Sequence, residues 1–187
     1  MLNAKKIELL PGYYADTGTI AAAYGTMAIV HRVHVTGDQV TLMRGMSFDQ
    51  NRKRVIKWSR SVEQFLCAAF SPGGDACIIV RKGRVMTIDI SDKEREGFSE
   101  SYNFGKNRDN GFDIDLEATA AAVLADTTIV LGSKDGNLHF YAWDGYAIKC
   151  VGPLPFDARG TITRIMEIDG GLIAETDKGI SYVRLYE

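Results

Sequence analysis

Four short turns centred on glycine punctuate this chain, each preceded by an apolar run and followed by alternating apolar and polar residues. They are Thr36-Gly37-Asp38, Lys82-Gly83, Asp135-Gly136-Asn137 and Lys178-Gly179, and their glycines lie 46, 53 and 43 residues apart. The stretches that follow, 39–44, 84–90, 137–143 and 180–186, carry the period-two pattern of strands with one covered face. Upstream of each glycine turn lies a second turn between apolar runs: Gly25-Thr26, the segment Ser71 to Asp75, Ala125-Asp126 and Asp169-Gly170-Gly171. Downstream of the first three comes one further strand-like run, at 54–58, 98–104 and 146–151. Each unit therefore reads as a four-stranded meander with its inner strand first.

The last unit shows no outer strand, whereas residues 5–10, ending at Pro11-Gly12, supply one strand too many at the start. A spacing of this size fits radially repeated sheets. The expected fold is all-β: a small β-propeller, four blades of four antiparallel strands, closed by N-terminal strand 5–10 pairing with the C-terminal unit. Residues 1–187 are expected to form a single propeller-like domain. The first strands of three units are rich in small residues, at Ala21 to Ala23, Cys67 to Ala69 and Ala120 to Ala122. Alanine is a poor strand former, so this composition points to strands crowded around a narrow axis. The fourth unit departs from it, with 162–168 containing Thr163 and Met166. The rival reading is a helix over 115–125, where Glu117 and the alanines are good helix formers. A partial ring completed by another chain is a further alternative.

Two units carry a resemblance. Phe70-Ser-Pro-Gly-Gly-Asp75 with the runs 78–80 and 85–90, and Ile129-Val-Leu-Gly-Ser-Lys-Asp-Gly136 with 138–144, are similar to WD-repeat blades. Trp143-Asp144 stands where that family has its Trp-Asp dipeptide. The family's Gly-His dipeptide is missing from all four units, so its structural His–Asp network does not carry over. The resemblance implies architecture, a WD-repeat-like propeller, and nothing about chemistry.

Composition narrows the function. The 22 basic and 24 acidic side chains leave a net charge of −2, which argues against a dedicated nucleic-acid binder. No run of about 18 apolar residues is present to cross a membrane as a helix. Charges at Lys5, Lys6 and Glu8 stand where a secretory signal would be apolar. Cys67, Cys77 and Cys150 are odd in number and lack metal-ligand spacing. A cytoplasmic setting, no disulfide framework and no cofactor are therefore expected.

No constellation for catalysis stands out. His31 and His34 are three apart, so on a strand they face opposite ways and cannot share a metal. In the Asp109 to Glu117 stretch, placing Gly111 and Glu117 at the calcium-loop positions puts Lys106 and Arg108 where carboxylates are required. No phosphate loop or nucleophile-elbow motif occurs. The expected function is a non-enzymatic protein–protein interaction module: an adaptor, complex subunit or inhibitor. Candidate partner-binding residues are Arg52, Lys53, Arg54 and Trp58 in the densest basic stretch, and Arg108 and Asp109 in the long polar connection. Tyr13, Tyr14 and Tyr146 join them as aromatic anchors at turns. An alternative is a nucleic-acid or ribonucleoprotein component using the basic 51–60 stretch. A second is a ligand- or ion-binding propeller.

Overall fold

The computed structural model describes residues 18–25, 27–34, 37–44, 55–89, 111–143, 148–154 and 160–185. They form four antiparallel sheets in chain order. Sheet A comprises β1 (Thr19–Tyr24), β2 (Met27–His34), β3 (Gly37–Arg44) and β4 (Val55–Val62). Sheet B has β5 (Phe65–Phe70), β6 (Ala76–Arg81), β7 (Arg84–Asp89) and β8 (Gly111–Asp113). Sheet C has β9 (Ala118–Val123), β10 (Ile129–Ser133), β11 (Leu138–Trp143) and β12 (Ile148–Leu154). Sheet D has three strands among the described residues, β13 (Ile162–Ile168), β14 (Gly171–Thr176) and β15 (Gly179–Arg184). Each sheet is a meander, as the repeat predicts. Gly83 and Gly170 close two of its two-residue turns at φ +74° and +73°, a region glycine reaches without strain.

Three hydrophobic cores lie between successive sheets. Ile29, Val40 and Leu42 of sheet A meet Cys77, Ile79 and Met86 of sheet B. Ile78, Val80 and Val85 on the other side of sheet B meet Ile129, Leu131 and Tyr141 of sheet C. Val130, Leu138 and Phe140 then meet Ile162, Ile165 and Leu172 of sheet D. Strands β6 and β10 feed a core on each face. Their sequences are accordingly continuous apolar runs rather than alternating ones, and they are buried almost throughout.

The alanine-rich stretch after Asp115 is a strand, not a helix: β9 pairs with β10 from Ile129↔Val123 to Ser133↔Ala118. Local helix propensity, a few tenths of a kcal/mol per residue, is small against two buried faces and a full ladder. One expectation is corrected. The fourth strand of sheet B is Gly111–Asp113, inside the stretch expected to be a polar loop. It pairs Val85↔Phe112, and the Arg84 guanidinium meets the Asp113 carboxylate at 2.8 Å. A Cβ on Gly111 would lie 2.2 Å from the Val85 carbonyl oxygen, so glycine is what lets this short strand approach β7. The run at 98–104, expected to fill that place, lies outside the described residues, as does the expected strand 5–10.

Candidate functional site

The first strands of the four sheets surround one cavity of about 310 Å³. Its walls are Thr19 and Ala21 of β1, residues 65–68 of β5, 119–121 of β9 and 163–165 of β13, with His31 of β2. Alanine and cysteine at the predicted small-residue positions make this close approach possible. In every case it is the N-terminal part of the strand that lines the space, so the four strands start at the same end. Cross-sheet contacts agree. Thr119 Oγ1, near the start of β9, donates to the Ile162 carbonyl at 2.5 Å. At the far ends, Tyr24 and Phe70 rings lie 6.2 Å apart, and the Ala125 N–H reaches Glu167 at 3.1 Å.

The polar groups of the cavity hold sheets together. The Phe65 N–H donates to Asp38 Oδ2 at 2.7 Å, tying the start of sheet B to sheet A. The His31 ring stacks on Phe65 at 4.5 Å between centroids. Its buried Nε2 lies 3.4 Å from Asp38 Oδ1, but without hydrogen-bond alignment. Cys67 shares the cavity with this imidazole. Burial pushes its thiol up to about 12, so it is protonated at neutral pH. With no hydrogen bond to Nε2, the pair lacks the contact that activates a nucleophilic cysteine. Cys77, buried in the core between sheets A and B, is likewise pushed up to about 12 by burial. Among the described residues no group of three or more His, Cys, Asp or Glu could hold a metal ion.

Parallel inner strands fix which connections share an end. Each meander runs out from the cavity end, returns, and runs out again. The first turns (25–26, 71–75, 124–128, 169–170) and the third-to-fourth-strand connections (45–54, 90–110, 144–147) therefore depart from the end away from the cavity. Arg52, Lys53, Arg54, Arg108, Asp109 and Tyr146 belong to those third-to-fourth connections and lie outside the described residues. Tyr13 and Tyr14 also lie outside them and precede β1, which begins at the opposite end. Trp58 is in β4, opposite Leu42 in the backbone register. A second basic cluster in the sequence, Arg81-Lys82-Gly83-Arg84, spans the turn between β6 and β7. Part of its charge is matched, since Arg84 pairs with Asp113.

Sequence reasoning missed a surface on sheet D. The register Met166↔Ile173↔Tyr182 sets a row of apolar side chains across the face turned away from sheet C. Ile168 and Ile180 flank it, and Ile180 is 74% and Tyr182 54% exposed. The signal was present: with Val183 packed against the core, the alternation of 180–186 puts Ile180 and Tyr182 on the other side.

No protein-family model matches the chain, and no curated protein matches it. Among solved structures it is similar to the N-terminal domain of Nup159, at 11% identity and a TM-score of 0.30, covering 84% of this chain and 53% of that one. It is also similar to a chain in the complex of a S. cerevisiae Dbp5 variant bound to Nup159, a Gle1 variant, IP6 and ADP. There the identity is 10% and the TM-score 0.30, over 86% of this chain and 54% of that one. The chain thus spans about half the length of both structures. Similarity at this level carries no argument about function.

Proposed function

We propose that this chain is a non-enzymatic protein-binding module, a small propeller-like ring of four sheets, WD-repeat-like in its turns, that forms a single domain and works in the cytoplasm. The observation that carries this reading is topological. The third strands of sheets A, B and C end, and their fourth strands begin, at one end of the scaffold, and the sequence between them holds Arg52 to Arg54, Arg108 and Asp109, and Tyr146. Loops of mixed charge and aromatic content gathered on a rigid support are what a protein partner grips. The matched charge in the second basic cluster and the net charge of −2 leave the nucleic-acid reading with less support. In the ligand-binding reading the cavity would be the site. The Cys67 thiol there is held protonated by burial, and the hydrogen bonds of Thr119 in its wall and of Asp38 beside it are made to the protein itself.

Photo-crosslinking side chains placed at Arg52, Asp109 and Tyr146, and separately at Lys82 and Lys134 on the opposite end, test the reading. Specific protein adducts from the first set alone are the expected result. Adducts from the second set alone, or loss of no adduct on combining Arg52→Ala, Arg54→Ala and Trp58→Ala, would overturn it.

A further inference from the structure

Most polar groups around the axial cavity are used by the fold. Thr119 Oγ1 donates to the Ile162 carbonyl, Thr163 Oγ1 donates to the Glu175 carbonyl at 3.3 Å, and Asp38 Oδ2 takes the Phe65 N–H. Two groups in the wall are not used in this way. Among the described residues the guanidinium of Arg164, in β13, makes no hydrogen bond or ion pair. Glu175 stands opposite it in the register without forming a salt bridge to it. His31 Nε2 is buried and has no hydrogen-bond partner, a state that native structures rarely leave without a reason.

Both of these groups are donors. A guanidinium has five N–H groups and no acceptor. At the imidazole, Asp38 Oδ1 lies 3.4 Å from Nε2. A bare Nε2 would set its lone pair against a carboxylate oxygen, so the proton sits on Nε2. That nitrogen then donates whether the ring is neutral or charged. No carboxylate belongs to the cavity wall. Cys67 adds no charge, because burial pushes its thiol up to about 12. The remaining wall is mostly apolar, with Phe65, Leu66 and Ile165 among the alanines.

We infer that the axial cavity binds a small monocarboxylate, its carboxylate held by Arg164 and the His31 Nε2–H and its apolar body lying against Phe65, Leu66 and Ile165. The parallel N–H groups of a guanidinium meet both oxygens of a carboxylate at once. An inorganic anion could take the same donors but would leave the apolar wall uncovered. The cavity of about 310 Å³ is at the lower end of the range for ligand pockets, about 300–1,000 Å³, so the body is limited to one ring or a short chain. Arg164 is exposed whereas His31 Nε2 is buried. The ligand therefore enters past the arginine and reaches inward to the imidazole. This inference goes beyond the partner-binding reading and does not rest on it.

The test is a titration of the full chain with benzoate, followed by amide shifts in NMR spectra. Saturable shifts at Cys67, Thr119 and Arg164 are expected. Benzamide has the same shape without the charge and should bind at least about tenfold more weakly, as should benzoate to Arg164→Gln. Arg164 is exposed, so this substitution leaves the cores intact, and unchanged shifts at Ile79 and Leu131 verify that the variant is folded. His31→Phe keeps a ring against Phe65 but removes the donor, and should weaken benzoate severalfold. Absence of saturable shifts at millimolar benzoate overturns the inference. So does benzamide binding as tightly as benzoate, or an affinity for benzoate that Arg164→Gln leaves unchanged. Inorganic phosphate binding as tightly as benzoate overturns it too, since the apolar wall would then contribute nothing. None of these outcomes bears on which end of the scaffold crosslinks to a partner, so the two readings fail separately.

Discussion

The junction between sheets B and C and the outer face of sheet D are built from similar residues and end in opposite environments. At the first, Ile78, Val80, Val85, Ile129 and Leu131 lose essentially all exposure. At the second, Met166, Ile168, Ile180 and Tyr182 keep a third or more. Every large exposed hydrophobic among the described residues lies on sheet A or sheet D, the two ends of the chain order. Strand content therefore does not decide burial here; having a sheet on both sides does. The inner sheets can use unbroken apolar strands because each face has a neighbour. In sheet D the strand β14 largely alternates, and the outward face of that sheet meets no neighbour among the described residues.

The largest expected effect tests the sealed side. Leu131→Ala should cost about 2–5 kcal/mol in chemical denaturation, the range for a buried leucine whose cavity cannot collapse. At the C–D junction, Thr119→Val keeps the shape but leaves the Ile162 carbonyl without its donor. A loss of about 1–2 kcal/mol is expected, and a neutral result would mean that the sheets are held by packing alone. Ile180→Ala should stay within about 0.5 kcal/mol, as exposed positions do. A cost there matching that of Leu131→Ala would erase the contrast between the two regions. The smallest effect is on acid stability. Ser133 Oγ donates to Asp135, and Asn137 Nδ2 does so at 2.8 Å, and the first of these holds its carboxyl below the usual value of 3.8. The stabilisation is present above that value and is lost as pH falls through the lower folded one. Melting curves taken from pH 7 to pH 2 should fall less steeply at the acid end for Asp135→Asn than for the parent.

Much of this fold was legible in the sequence, for identifiable reasons. The glycine turns fix where hairpins close, so 14 of the 15 described strands follow once the apolar runs around them are counted as extended. The alanine strands were legible as axial because nothing local explains them. What was not legible was Gly111–Asp113. A three-residue strand is too short for a period, and its warrant, close backbone approach to Val85 and the Arg84–Asp113 pair, exists only in three dimensions. The His31–Asp38–Phe65 arrangement was hidden for the same reason, since it joins residues up to 34 positions apart in two sheets. The candidate partner residues were chosen by composition. The direction of the described strands fixes only the end at which the third strands of sheets A, B and C finish and the fourth begin.

The cavity takes one strand from each sheet, and this has a mechanical side. A change of volume at an outer strand is absorbed where it occurs, by solvent or by one neighbour. Ala68 and Ala120 line the cavity and also belong to the A–B and C–D cores, so a bulkier side chain at either would press on the axis and on a junction at once. Among the described residues, the axis is where a local disturbance reaches more than one sheet.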